Sequence, residues 1–379
     1  MQGQYGGAER STKLYAAFPD HKVTVVSVDW ADRAHVKMYP PNIRFYSIPS
    51  DKSRPQPTEM KQAAAKHREV ACWNFTEGIS GVRGKIKTLL PSTDVLILDY
   101  LGPIGMIKGM EINIPIVYLS HNCEVILAEK IYGKGTQLTK DIETMEAELF
   151  RRSQAYVYCG PDDVTEINKR FKHNSVPHHI PNGTDLRPGI KAGSNYGSKH
   201  ILFVGSGHPP NVVACRNIIP LAKAMPEYTF DLVGEASNYL NGDSTVPRNI
   251  KIWGKVSEEK LHDLFSTCEA FINPMETGSG THLKLMRALS YGMPVITSDI
   301  GARGFTKEEL RDAITIANKT EAMVKAIESL KDKQRYTLLS SNSLEVVKTY
   351  SWAKIQGDFN KIIEDLGYGY RAVLSHAQD

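Results

Sequence analysis

The chain alternates short apolar runs with longer stretches of helical period, and it does so twice over. In the first half, "KVTVVSV" (Lys22 to Val28), "DVLILDY" (Asp94 to Tyr100), "PIVYLS" (Pro115 to Ser120) and "AYVYCG" (Ala155 to Gly160) are nearly continuous in apolar character, as strands covered on both faces are. Between them, helices are expected from about Glu59 to Leu89 and from Glu124 to Arg152. The alternation restarts with "HILFVGS" (His200 to Ser206), a helix from about Asn211 to Ala224, "YTFDLVGE" (Tyr228 to Glu235) and "NIKIWG" (Asn249 to Gly254). A helix over Ser257 to Cys268, capped by Ser257, and "EAFINP" (Glu269 to Pro274) follow. Such alternation demands parallel sheets with crossover helices, an α/β fold.

Between the two series lies "LRPGIKAGSNYGSKH" (Leu186 to His200), rich in glycine, serine and charge and without period, which reads as a linker. The sequence therefore predicts two domains, 1–186 and 198–350, as a length of 379 residues also suggests. In "YSWAKIQGDFNKIIEDLG" (Tyr350 to Gly367), Trp352, Ile355, Phe359, Ile362 and Ile363 recur at helical spacing. A C-terminal helix over 351–379 is expected to return to the first domain. No strand precedes "QYGGAER" (Gln4 to Arg10), so the first domain is expected to lack the opening strand of a doubly wound sheet.

Composition narrows the function. With 41% hydrophobic and 23% charged residues the chain is that of an ordinary globular protein. No apolar run approaches the roughly 20 residues that span a bilayer, and "MQGQYGGAER" lacks the core of a secretory signal, so a cytoplasmic address is expected. Cys72, Cys123, Cys159, Cys215 and Cys268 are scattered without pairing, against a disulfide framework or a zinc site. A net charge of +4 is too mild for nucleic acid. It suits weak attraction to anionic lipid, and "VRGKIKTLL" (Val82 to Leu90) is the candidate for peripheral contact at an inner membrane surface, against a solvated helix face as the plainer reading.

Three glycine turns stand where an anion site can form. "YGGAERSTKL" (Tyr5 to Leu14) can present free first-turn amides to an anion, although a tight turn before a helix explains it as well. "FVGSGHPPN" (Phe203 to Asn211) ends a strand in Gly205, Ser206 and Gly207, and Pro209 and Pro210 suit a first helical turn. It is not G-x-G-x-x-G, which disfavours a nicotinamide dehydrogenase. In "GSGTHLKLMRALSYGMPVITSDIGARG" (Gly278 to Gly304), Gly280 allows close backbone approach and Thr281 can cap the helix. Lys284 sits one turn in, where a cation opposes the helix dipole unless an anion is held beside it. "YLSHNCE" (Tyr118 to Glu124) sets His121 just past a buried strand, where ligands of open α/β sheets bind, while a lone histidine is more often structural.

Together with "MEAELFRRSQAYVYCGPDD", "HIPNGTDL" and "YSWAKI", and in this order, these stretches resemble the nucleotide-sugar-dependent glycosyltransferases of the two-Rossmann (GT-B) type, similar to family 4, the retaining enzymes of bacterial polysaccharide and glycolipid assembly. The resemblance covers nearly all of the chain. It implies two Rossmann-like domains facing a cleft, the nucleotide held mostly by the second and the acceptor by the first. Gly6 and Gly7 match the loop facing the donor diphosphate and sugar, and His121 the histidine that contacts the donor sugar. Gly205, Ser206 and Gly207 match the second domain's first loop, and Glu235 a position near the base. Gly278, Ser279, Gly280, Thr281, His282 and Leu283 match the loop and helix start that hold the diphosphate. Lys284 would add charge as the leaving nucleotide becomes negative. His121, Lys284 and Glu276 are the expected catalytic residues.

The implied partners are a nucleotide sugar and a saccharide or lipid-linked acceptor; neither a metal nor another cofactor is expected. Two departures from the family pattern stand out. Its paired glutamates, E-x7-E, fall at Ser279 and Arg287, and an arginine cannot accept hydrogen bonds from ribose; Glu276, in "PMETG", is the nearest carboxylate. Ser206, His208 and Asn211 stand where the family carries an arginine and a lysine. Two rivals stay open: a nucleotide-sugar epimerase of the same architecture, for which only Glu276 and Glu124 offer acid groups, and a non-catalytic relative that binds a sugar or a partner.

Overall fold

The computed structural model describes residues 6–18, 20–29, 35–39, 42–51, 67–277, 283–306, 310 and 313–376. The chain divides into two compact units, residues 1–180 with 356–379, and residues 181–355.

In the first unit, β1 (Val23–Asp29), β2 (His35–Tyr39) and β3 (Ile43–Pro49) form a sheet of order β1-β3-β2, parallel between β1 and β3 and antiparallel between β2 and β3. A second, wholly parallel sheet runs β4 (Leu96–Asp99), β5 (Ile116–Leu119), β6 (Ala155–Tyr158) and β7 (Val176–His179) in that order. Every residue of β5 is buried, as its unbroken apolar run requires; β1, at a sheet edge, is only half-buried throughout. The sequence reading passed over β2, β3 and β7. The last of these carries Pro177, which an edge strand tolerates because one side of its backbone needs no ladder partner.

Two long helices expected here are interrupted. Residues 59–66 lie outside the described residues, and the remainder forms the helix Arg68–Asn74, a single 3-10 turn Thr76–Ile79 and the helix Ser80–Leu89. The second splits into Glu124–Tyr132 and Gln137–Arg152. Gly133 stops the first segment at φ 87°, a conformation open to glycine. Thr136 starts the next, its hydroxyl accepting from Thr139 N. In the basic run from Val82, Val82 and Ile86 are buried. Arg83 donates to the carbonyls of Gly105, Met106 and Lys108, so one of the three cations there serves the fold. Among the described residues no helix is long and apolar enough to cross a membrane.

The second unit is built on six parallel strands: β8 (His200–Val204), β9 (Thr229–Val233), β10 (Ile250–Gly254), β11 (Ala270–Asn273), β12 (Val295–Thr297) and β13 (Ile314–Ile316), in the order β10-β9-β8-β11-β12-β13. The chain winds outward from β8 to β10, then returns to the other side of β8 with β11. Strand order thus reverses between β8 and β11, the switch point at whose carboxyl ends open α/β sheets bind ligands. The stretch Leu186 to His200, read from composition as a linker, here lies within the second unit. Its Gly197 and Lys199 amides donate to the carboxylate of Glu269, which is 2% exposed, and Asn195 donates to Cys268 O. A buried carboxylate demands donors, and these turns supply them.

The last helix, Trp352–His376, carries its apolar stripe as expected. In the first unit Phe359 packs on Phe18, ring centroids 5.3 Å apart, and Gln356 donates to Lys13 O at 2.7 Å. In the second, Gly183 meets the start of the helix so closely that an added Cβ would stand 2.8 Å from Trp352 and Ile355. Gly183→Ala should therefore destabilise the chain by about 1–3 kcal/mol. A fall in the urea midpoint at unchanged slope is the expected result.

Candidate functional site

In the second unit, the loops after β8 and β9 are pressed together. Gly205 N donates to Val233 O at 2.9 Å, and Ala236 N to Gly205 O at 3.2 Å. Gly234 has φ 95°, and a Cβ there would fall 2.1 Å from Gly205 O, so both backbone shape and space require glycine. A Cβ on Gly207 would stand 3.2 Å from Glu235 Oε2. The structure thus brings Gly205, Ser206, Gly207 and Glu235 to one place.

Asn211, near the start of the helix Pro209–Ala224, ties this place to Lys284. Its amide nitrogen donates to Ser206 O and Oγ at 3.2 and 3.1 Å, and its Oδ1 accepts from Lys284 Nζ at 2.9 Å. Lys284 is the second residue of the helix Leu283–Ser290. Its ammonium also lies 3.7 Å from Met275 Sδ and 4.8 Å from the Phe203 ring centroid. Desolvation in these surroundings pushes the lysine down to about 7. No carboxylate pairs with it among the described residues. Glu276, just past β11, is exposed and accepts from Asn217 Nδ2 at 3.0 Å. Gly278, Ser279, Gly280, Thr281 and His282 lie outside the described residues.

Arg287 has a partner of its own. Its Nη2 lies 2.7 Å from Glu258 Oε2, and its guanidinium 5.2 Å from the Phe265 ring centroid. At the carboxyl ends of β11 and β12, residues that sequence reasoning missed form a polar latch. Buried Asn273 donates to Thr297 Oγ1, and Ser298 bonds both Met275 O and Gly301 N. A Cβ on Gly301 would fall 2.1 Å from Thr297 Oγ1, so the "SDIGARG" turn can close only over glycine.

In the first unit, Gly6 and Gly7 open the helix Gly6–Tyr15. Arg10 of this helix is buried, with Nη2 donating to Ile180 O at 2.7 Å. Its Tyr15 hydroxyl donates to Asp99 at the carboxyl end of β4, and His121, beyond β5, sets Nε2 2.7 Å from the other oxygen of Asp99. Tyr15, Asp99 and Tyr100 are further residues that the sequence reading did not single out. Glu124 follows His121 at a helix start whose amides, Glu124 N and Val125 N, are capped by the Glu146 carboxylate at 2.8 and 2.9 Å. Burial, and Glu146 for Glu124, push both carboxyls up. Glu124 therefore belongs to the buried frame of this helix.

The grouping of described residues with metal-ligand chemistry is His200, Asp231 and Cys268. It begins at His200, the first residue of β8, at the end of the sheet away from Lys284. His200 Nδ1 already lies 2.7 Å from Asp231 Oδ2, and Trp253 Nε1 donates to Oδ1 at 2.8 Å, so the carboxylate is satisfied by the chain itself.

Residues 198–333 match the family model of the glycosyl transferases group 1. A Klebsiella pneumoniae protein, an uncharacterised 44.6 kDa protein in the cps region, is 25% identical over 225 residues, 55% of this chain and 57% of that protein. The match thus spans little more than half of the relative's length. Sucrose-phosphate synthase from Thermosynechococcus elongatus is similar in structure, with TM-score 0.70 and 14% identity over 97% of this chain and 93% of that one. WaaG, a glycosyltransferase involved in lipopolysaccharide biosynthesis, gives TM-score 0.66 at 14% identity, over 94% of this chain and 96% of that one. HepE from Anabaena, in complex with UDP and glucose, gives TM-score 0.66 at 14% identity, over 96% of this chain and 97% of that one. These likenesses show a shared fold, the GT-B fold that the sequence resemblance implied.

Proposed function

We propose that this chain, a GT-B fold whose second unit carries a group 1 glycosyl transferase domain, moves a sugar from a nucleotide-diphosphate donor to a saccharide or lipid-linked acceptor with retention at the anomeric carbon. One observation carries the reading. At the switch point between β8 and β11, Lys284 Nζ lies beside Asn211 Oδ1 with no carboxylate partner among the described residues. A diphosphate supplies the missing charge, and Lys284 then stabilises the negative charge that grows on the leaving nucleotide as the C–O bond breaks. Ser206 and Asn211 offer hydrogen bonds at the same place, and Glu235 adjoins them for the nucleoside. In the retaining course, the acceptor hydroxyl attacks from the face that the diphosphate leaves, and a leaving phosphate oxygen takes its proton. No protein nucleophile and no metal enters this scheme.

Arg287 does not serve the ribose in this reading, because Glu258 engages it. Contact with a membrane surface through the first unit fits a lipid-linked acceptor, with Lys85 and Lys87 as its cations.

HepE is known in complex with UDP, which makes UDP the first nucleotide to try, with GDP and ADP beside it. Mass spectrometry with the matching nucleotide sugars should reveal slow release of free sugar in the absence of an acceptor. His121→Ala should lower that turnover by about 10²-fold or more, with the nucleotide dissociation constant little changed. Equal loss of both would reduce His121 to a structural residue.

A further inference from the structure

Asp99 is the last residue of β4, and Tyr100 follows it with φ 72°. A side chain in this left-handed region costs about 1–2 kcal/mol, and such strain persists where the surroundings over-determine it. Here the backbone remains tied, Tyr100 N donating to Leu119 O at 3.1 Å, while the ring stands edge-on to His121 with centroids 5.7 Å apart. His121 is thus held on two sides. Its Nε2 lies 2.7 Å from Asp99 Oδ1, and both side chains are about 15% exposed, at 14% and 16%. Asp99 also accepts from Tyr15 and Ser11, both on the helix opened by Gly6 and Gly7. Burial alone would raise the Asp99 carboxyl, but the hydrogen bond and charge of His121, with Ser11 and Tyr15, hold it below its ordinary value. It is an anion at neutral pH. His121 Nδ1 makes no hydrogen bond among the described residues.

We propose that Asp99 is a positioning residue for the transfer reaction: it accepts from His121 Nε2 and so fixes the ring with Nδ1 left for the substrate, and through Tyr15 it locks the ring to the glycine-opened helix. The proposal rests on the transferase reading.

Two readouts test this. In protein labelled with ¹⁵N-histidine, one imidazole N–H resonance should correlate with Nε2, vanish in His121→Ala, persist in Tyr15→Phe, and be lost to solvent exchange in Asp99→Ala. In turnover of the nucleotide sugar that binds, Asp99→Asn should lower kcat about 10²-fold, with nucleotide affinity within twofold of wild type. Asparagine keeps the shape and one acceptor oxygen but not the charge. Wild-type kcat in Asp99→Asn, or an Nε2 proton unaffected in Asp99→Ala, overturns the proposal alone. Absence of turnover by the wild type with any nucleotide sugar overturns the transferase reading and this role with it.

Discussion

Lys284→Ala should lower turnover of the matching nucleotide sugar by about 10²–10³-fold, the range for removing one donor aimed at developing negative charge. The fold should survive. Among the described residues Lys284 Nζ donates to Asn211 Oδ1 and, more weakly at 3.7 Å, to Met275 Sδ, beside the Phe203 ring. Keeping a cation there costs free energy, which is why desolvation drives the group to about 7. Stability follows with a definite sign. Between pH 7 and the unfolded lysine value near 10.4 the unfolded chain holds the extra proton, so Lys284 makes stability rise with pH across that window. Removing the amine abolishes that slope and spares the fold a buried ammonium. Thermal unfolding and kcat/KM, measured on the same preparation, separate the two effects; unchanged turnover would refute the phosphate assignment.

Gly234→Ala should be as damaging for a different reason. A methyl group there meets Gly205 O at 2.1 Å, and the partner is backbone, which cannot swing aside. The φ of 95° adds strain for any residue with a Cβ. Together these predict a loss of roughly 2–4 kcal/mol, with the loops that carry Ser206 and Glu235 forced apart and nucleotide affinity falling as well. Gly207→Ala is the matched control. Its new methyl would stand 3.2 Å from the end of the Glu235 side chain, which can rotate away. Near-wild-type stability in Gly207→Ala beside a large loss in Gly234→Ala is the expected pattern in urea; equal effects would mean that the loops are not pressed together.

Much of this architecture is legible in residue pattern. The unbroken apolar runs of β5 and β11 announce strands buried on both faces, and both are buried throughout. Pro209 and Pro210 mark a helix start correctly. The interruption at Gly133 is equally visible in "YGKGT". β2 and β3 are harder to read, since their short runs flank the sequence Pro-Pro-Asn and β2 is exposed at Val36 and Met38. Lys284 stood out because a cation one turn into a helix contradicts the dipole. Asp99 did not, because its partners Tyr15 and His121 lie 84 and 22 residues away, and only the fold brings three such distant positions together. Arg287, which looked like a lost ribose ligand, is answered by Glu258, another pairing between distant segments.

The central claim, that Lys284 awaits a diphosphate, is tested most directly by isothermal titration of the nucleotide that binds, without added metal, at pH 8 in two buffers of different ionisation enthalpy. With its pKa near 7, Lys284 is mostly neutral in the free protein at that pH. A bound diphosphate favours the charged form, so wild type should take up close to one proton, roughly 0.9. Lys284→Ala should bind weakly with no uptake at that pH. Tight binding by Lys284→Ala, or binding by wild type with no difference between buffers at pH 8, would contradict the assignment.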